Sequence, residues 1–292
     1  VPACNPGLCR TIANKLFTDM VPYSKAHLKV SLSHDIPSGW ASSTISQSKS
    51  LYGQTEGAQA LIQYGNLPEY SVYFLHLRSV LKENMLFVRN KPVFFLVVQL
   101  RNTLDALVPG FPPIRLLEWS FNFLYAPVFE LDIHMKEGSE YETFFLIVPE
   151  AFILYFGKQH EMVRTFHQRT KEKSPQSLLP NPKICPLAIM QQIIQLKVQG
   201  MQSLNLPFAE EFLSAIFESA SSLPYRKVQY EDQVIDRLYA LKAFLQEHPD
   251  NPLTRTELIA RFRLTTQQFN QGFASIYNFT PFGFLKYLKV QM

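Results

Sequence analysis

Apolar residues recur along this chain with two different periods, and the change from one to the other falls near Pro149. Upstream, from about Lys25 to Val148, they come in short runs rich in β-branched and aromatic residues, bounded by Gly, Pro, Asn or Asp. Such runs predict strands at Ala26–Ser33, Tyr70–Ser79, Pro92–Arg101, Glu118–Tyr125, Val128–Met135 and Tyr141–Val148. Turn residues stand at Pro109–Pro113 and Lys136–Gly138. Several short strands at fairly regular spacing predict a β-barrel or sandwich rather than a parallel α/β sheet.

Downstream the period is helical. Ala151, Leu154 and Tyr155, then Met162, Val163 and Phe166, mark the apolar faces of two short helices. Lys171 to Lys183, with Ser, Pro and Asn throughout, reads as a linker or long loop. Pro186–Val198 and Pro207–Ser221 then form an αα-hairpin whose apolar faces need a partner, either the β-rich region or a second copy of the chain. A longer helix runs from Glu231 to about Glu247 and stops at His248–Pro252. The expected organisation is therefore a β-rich unit over 1–183, a helical hairpin over 184–225 and an all-α unit over 226–292, an α+β chain.

Three helix starts crowd the C-terminal end. Thr254 and Glu257 form a capping box, a hydroxyl at the N-cap and a carboxylate three residues on. Thr265 and Gln268 repeat the device, and Thr280-Pro281 makes a third start with proline in the first turn. Two short helices around so tight a turn predict a helix-turn-helix. On the second of them, Phe269, Phe273 and Ile276 share one face, while Gln267, Asn270, Gln271 and Ala274 share the other. Such amides can hydrogen-bond base edges in a DNA major groove, adenine above all.

Composition narrows the picture. The chain has 292 residues, 47% of them hydrophobic and 18% charged, ample for packed cores. Net charge is +4, too mild by itself to argue for nucleic acid, but residues 226–292 hold nine Lys/Arg against six Asp/Glu. No apolar run approaches the roughly 18 residues of a membrane span. Three cysteines, Cys4, Cys9 and Cys185, read as free thiols of a reducing cytoplasm. The seven histidines contain no His-x-His pair, and no Gly-x-Ser-x-Gly elbow or Gly-rich phosphate loop occurs. No enzyme activity, metal or cofactor is expected on these grounds.

The C-terminal motifs resemble a family. Val234–Leu238, Leu253–Leu258, Leu264–Phe269, Phe273, Tyr277–Phe282 and Leu285–Leu288 are similar to the first half of the DNA-binding domain of AraC-type bacterial transcription regulators. The resemblance implies base-facing roles for Gln267, Asn270 and Gln271, phosphate contacts from Arg261, Arg263 and Lys286, and a place for Thr266 in the same DNA-binding surface. Arg263 stands where the family's turn usually has glycine, and Ala274 where a basic residue is common. It further implies a cupin-like β-barrel sensor over the N-terminal part and dimerisation through the helical hairpin. The partners would be double-stranded DNA, a small-molecule effector and a second copy of the chain, with no membrane. Met135–Phe144 followed by Pro149 resembles the pyochelin-regulator branch, which implies a siderophore effector. Effector contacts are expected on the barrel's inner face, with Tyr73, His76, Arg78, Trp119 and Tyr125 as candidate liners. A second helix-turn-helix is expected beyond Met292, making this sequence a fragment. The alternative is a cupin-type small-molecule binding or enzymatic protein whose terminal helices only pack.

Overall fold

The structure is a computed structural model that describes residues 21–24, 30, 32–89, 91–221, 232–248, 253–277 and 280–285. It divides at residues 222 and 223 into two compact units. In chain order the first unit contains β1 (Val21–Ser24), β2 (Leu32–Ser33), a 3₁₀ turn (Ser38–Ser43), β3 (Lys49–Gln54), β4 (Ala58–Asn66), β5 (Ser71–Ser79), β6 (Glu83–Arg89) and β7 (Val93–Arg101). Next come β8 (Leu104–Leu107), β9 (Ile114–Leu116), β10 (Ser120–Ala126), β11 (Phe129–Met135) and β12 (Glu140–Val148). Helices α1 (Glu150–Gly157) and α2 (Glu161–Thr170), short strands β13 (Gln176–Ser177) and β14 (Lys183–Ile184), and helices α3 (Leu187–Gln199) and α4 (Leu206–Ser221) complete it.

The strands form two sheets. The smaller runs β1-β6-β11-β8-β9; the larger runs β13-β10-β7-β12-β5-β4-β3-β2, with β14 also paired to β10. All these pairings are antiparallel. The inner face of the large sheet packs on the small one, as Phe95 of β7 meeting Phe129 of β11 edge-to-face at 5.1 Å shows. Its outer face carries Phe74, Leu96, Phe123 and Phe144, which share a core with Phe166 of α2, Ile193 of α3 and Phe212 and Phe217 of α4. The large sheet is thus covered on both sides. That is why β7 is buried at every position but Arg101 instead of alternating.

The predicted strands at Tyr70–Ser79, Pro92–Arg101, Glu118–Tyr125, Val128–Met135 and Tyr141–Val148 are all present within a residue or two. Most of Ala26–Ser33 lies outside the described residues. The stretch read as a linker, Lys171 to Lys183, contributes β13 and the start of β14 to an edge of the large sheet. Strands β3, β4 and β6 have no counterpart in the sequence reading.

For the helical hairpin, the large sheet supplies the apolar partner. Gly200 ends α3 with a φ of +88°, and the Met201 N–H donates to Ser46 O at 2.9 Å. A side chain at Gly200 would meet that same carbonyl at 2.7 Å, so glycine is required twice there, by angle and by space. Among the described residues, no helix is long and apolar enough to cross a membrane. Cys185 is fully buried, and burial pushes its thiol well above the ordinary value.

The second unit holds α5 (Asp232–Glu247), α6 (Arg255–Arg261), a π-wound stretch (Gln268–Gly272) running directly into α7 (Phe273–Tyr277), and a helical turn over 281–285. Its core combines Leu238, Leu241 and Leu245 with Leu258, Leu264, Phe269, Phe273, Tyr277 and Phe284.

Candidate functional site

Each start and stop in the second unit is set by local chemistry. Thr254 Oγ1 accepts from Glu257 N–H at 3.4 Å while Glu257 Oε2 accepts from Thr254 N–H at 2.6 Å, a complete capping box. The Thr254 N–H and hydroxyl hold the Glu257 carboxyl below its usual range. The next helix starts in the same way, with Thr265 N–H donating to Gln268 Oε1 at 2.8 Å and Gln268 N–H to Thr265 Oγ1 at 3.1 Å. Thr280 caps the third start, accepting from Gly283 N–H at 3.1 Å.

Between the first two helices the chain reverses in a Schellman motif. Arg263 N–H donates to Ala260 O at 3.1 Å and Leu264 N–H to Ile259 O at 3.0 Å. Arg263 takes the left-handed position, φ +50°, which glycine usually fills, and its carbonyl accepts from Arg237 Nη1 at 2.9 Å. Leu264 and Ile259 both join the core, the apolar contact that accompanies this motif.

The second helix is wound wider than an α-helix across its middle, with Phe273 N–H bonding Gln268 O five residues back. A four-residue step along an α-helix overshoots one turn by about 40°. The wider turn absorbs part of that overshoot, so that Phe269, Phe273 and Tyr277, four apart, all reach the core. On the other side Thr266, Gln267 and Gln271 are exposed and Asn270 is half-buried. Gln267 Nε2 donates to Gln271 Oε1 at 3.1 Å, and Asn270 Nδ2 to Thr266 O at 3.1 Å. Arg261 and Arg263 are exposed just before this helix, the Arg261 guanidinium 4.3 Å above the Phe244 ring. The structure therefore brings together six of the seven residues expected at a DNA face. Lys286, the seventh, lies outside the described residues, as does the side chain of Ile276.

The five residues expected on one inner face are not together. Tyr73 alone faces the space between the sheets, stacked on Tyr64 at 5.6 Å with its hydroxyl donating to Asn66 Oδ1 at 3.2 Å. Tyr125 is on the outer face, 4.7 Å from Phe94. Trp119 is half-buried in the turn before β10, at φ +58°, and also packs on the outer core. His76 and Arg78 share the outer face with Phe74. Strand periodicity is the reason: successive residues alternate faces, so Tyr73 and His76, three apart, cannot line one cavity. Side chains fill the space between the sheets. Among the described residues the gaps there include two of about 10 Å³ each, no more than one water needs.

His76 and Arg78 instead belong to a charged corner on the outer face. The register sets Arg78 opposite Glu140 and His76 opposite Glu142. Arg78 lies over the Trp40 ring at 3.9 Å, donates to Gly39 O at 3.1 Å, and its Nε is 2.9 Å from Glu140 Oε1. Arg101 pairs with the other Glu140 oxygen, and Lys197 of α3 pairs with Glu142 at 2.6 Å. His76 sits among them, edge-on to Trp40 at 4.8 Å, its Nε2 buried with no hydrogen-bond partner among the described residues and 3.9 Å from Glu140 Oε2. Burial depresses its pKa below 6.5 against the pull of Glu142 and Glu140, and Arg78 and Arg101 act in the same sense as burial. Trp40, Arg101, Glu140, Glu142 and Lys197 carry no sequence signal that singles them out. Only the register and the packing of α3 assemble them.

Among known proteins, no family model matches the chain and no curated protein matches it. Among solved structures it is similar to the AraC-like transcriptional activator CuxR, at 8% identity and a TM-score of 0.37 over 81% of this chain and 80% of that one. It is also similar to ToxT from Vibrio cholerae, at 7% identity and a TM-score of 0.34 over 76% and 81% of the two chains. A shorter likeness, to the EutQ protein of Clostridium difficile, has 9% identity and a TM-score of 0.24 over 31% and 69%.

Proposed function

We propose that this chain is a sequence-specific DNA-binding transcription regulator that responds to a small-molecule effector. The observation that carries the reading is the turn at Phe262–Leu264. It joins two capped helices and leaves Thr266, Gln267, Asn270 and Gln271 on the outward face of the second. That is the geometry in which a helix-turn-helix offers polar side chains to base edges while the first helix crosses the backbone. Arg261, at the end of the first helix, and Arg263, in the turn, supply charge for phosphates. The sequence resemblance to AraC-type regulators supports the same reading.

The effector half of the proposal rests on that resemblance, which names a siderophore as the specific class and a homodimer as the working form. Binding would bias the dimer between two placements of its DNA-reading units. With the inter-sheet space filled, the charged corner around His76, Arg78 and Trp40 is the surface where two of the expected effector residues meet.

Fluorescence anisotropy of the full chain with duplex DNA over a range of salt concentrations tests the proposal. Affinity should fall steeply with salt, and Arg261→Ala and Arg263→Ala should each reduce the log–log slope by about 1. Absence of binding at about 50 mM salt would sink the DNA reading. An affinity unmoved by a panel of ferric siderophores would remove the siderophore assignment.

A further inference from the structure

We propose that Arg237 is a positioning residue for DNA reading: from α5 it holds the turn that aims the second helix, and so sets sequence discrimination without itself contacting DNA. The inference rests on the DNA-reading role proposed for that helix. The turn is built on a residue ill-suited to it. Arg263 stands at φ +50°, a conformation that a Cβ disfavours and that glycine adopts freely. Its N–H is spent on Ala260 O at 3.1 Å, and its carbonyl is satisfied from outside the turn. Arg237, 26 positions earlier, supplies the donor: its Nη1 bonds the Arg263 carbonyl at 2.9 Å. Its Nη2 is 3.5 Å from Gln233 Oε1, one helical turn back on α5. A charged donor makes the stronger bond, and the planar guanidinium fixes its direction.

The far end of the reading helix is braced by the same α5. Tyr239 meets Tyr277 at 6.2 Å with the rings at 61°, and Lys242 Nζ lies 5.4 Å over the Tyr277 ring. Helix α5 thus contacts the reading helix at its end and the turn at its start, and Arg237 makes the contact to the turn. Such bracing controls the angle at which the helix meets DNA, and the two kinds of DNA contact respond to that angle differently. The amides of Gln267, Asn270 and Gln271 sit on short side chains, and their bonds to base edges weaken steeply once misaligned. Phosphate contacts from long arginine side chains follow a small shift of the backbone and carry no sequence information. A loosened turn therefore costs discrimination before it costs affinity for duplex DNA in general.

The test uses the full chain, a duplex it selects from a randomised pool and a random duplex of the same length, each titrated by anisotropy over a range of salt. Arg237→Met removes the donor at similar length. It should lower the ratio of selected to random affinity about tenfold, comparable to one mismatched base pair, and leave random-duplex affinity and its salt slope unchanged. Arg237→Lys, which keeps the charge and a donor, should recover most of the ratio. In an Arg263→Gly background the turn needs no holding, so adding Arg237→Met should leave the ratio where Arg263→Gly alone puts it. That background also keeps the unit folded if the lost bond is destabilising, which the urea midpoint reads. Equal losses on both duplexes with the salt slope reduced by about 1 would make Arg237 a phosphate contact and overturn the inference. An unchanged ratio in Arg237→Met, or an equal fall in the Arg263→Gly background, would overturn it while the DNA reading stands. Failure of the unaltered chain to bind any duplex at low salt would remove both.

Discussion

Arg263 shows how far a single residue can depart from its local rule when the surroundings hold it. It occupies a left-handed position at φ +50°, where a Cβ costs roughly 1–2 kcal/mol that glycine avoids. Three hydrogen bonds at 2.9–3.1 Å fix the turn around it: its own N–H, the Leu264 N–H, and its carbonyl with Arg237. Arg263→Gly should therefore stabilise the C-terminal unit by about 1 kcal/mol, read as a higher urea midpoint with an unchanged m-value. A lower midpoint would mean that the Arg263 side chain supports the fold. The same substitution removes a charge beside the reading helix, so stability and DNA affinity should move in opposite directions. At this scale the sequence was legible. The caps at Thr254, Thr265 and Thr280 join residues three apart, and so small a separation is visible without knowing the fold.

Some elements were legible as elements and others, such as β3, β4 and β6, were not; the faces of the legible ones were not. The runs that became β5, β7, β10, β11 and β12 stand out by composition. In β5, however, the large sheet is covered on both sides, so hydropathy does not tell Tyr73 from Phe74. The five expected effector residues scattered for this reason, and the charged corner came together unannounced. Its buried imidazole has a testable consequence. Because His76 has a depressed pKa in the folded chain, folding favours its neutral form. The associated stability is complete above pH 6.5, the ordinary histidine value, and is lost as pH falls from there toward the lower folded-state value. Unfolding midpoints measured between pH 8 and 5 should show this acid-side loss, and His76→Gln should flatten it. An equal loss in the variant would assign the effect to other groups.

The whole molecule adds surfaces that belong to no single element. Helices α3 and α4 bury one side against the sheet, yet α3 keeps Leu187, Ile194 and Val198 outward, with Val198 79% exposed. These residues repeat at seven and four positions, one stripe along the helix. That stripe supports the proposed homodimer, because a helix already packed on its own sheet needs no further apolar face. Sedimentation should find a dimer at micromolar concentration. Val198→Glu should weaken association by about a hundredfold, on the order of 3 kcal/mol for a carboxylate buried without a partner. A monomeric parent chain would end the dimer proposal, while a dimer indifferent to Val198→Glu would move the interface elsewhere.

Much that depends on neighbours within about four residues was legible in the sequence itself: strands β5, β7, β10, β11 and β12, the capped helices, the tight turn between them and the polar face of the reading helix. Tertiary structure decided which strand face meets which layer, that the hairpin closes over the sheet, and that Arg78, Arg101, Glu140, Glu142 and Lys197 converge around His76. The physical reason is separation along the chain. Local hydrogen bonds and periodic burial leave their mark in adjacent residues, whereas Lys197 reaching Glu142 across 55 positions leaves no pattern until the chain has folded.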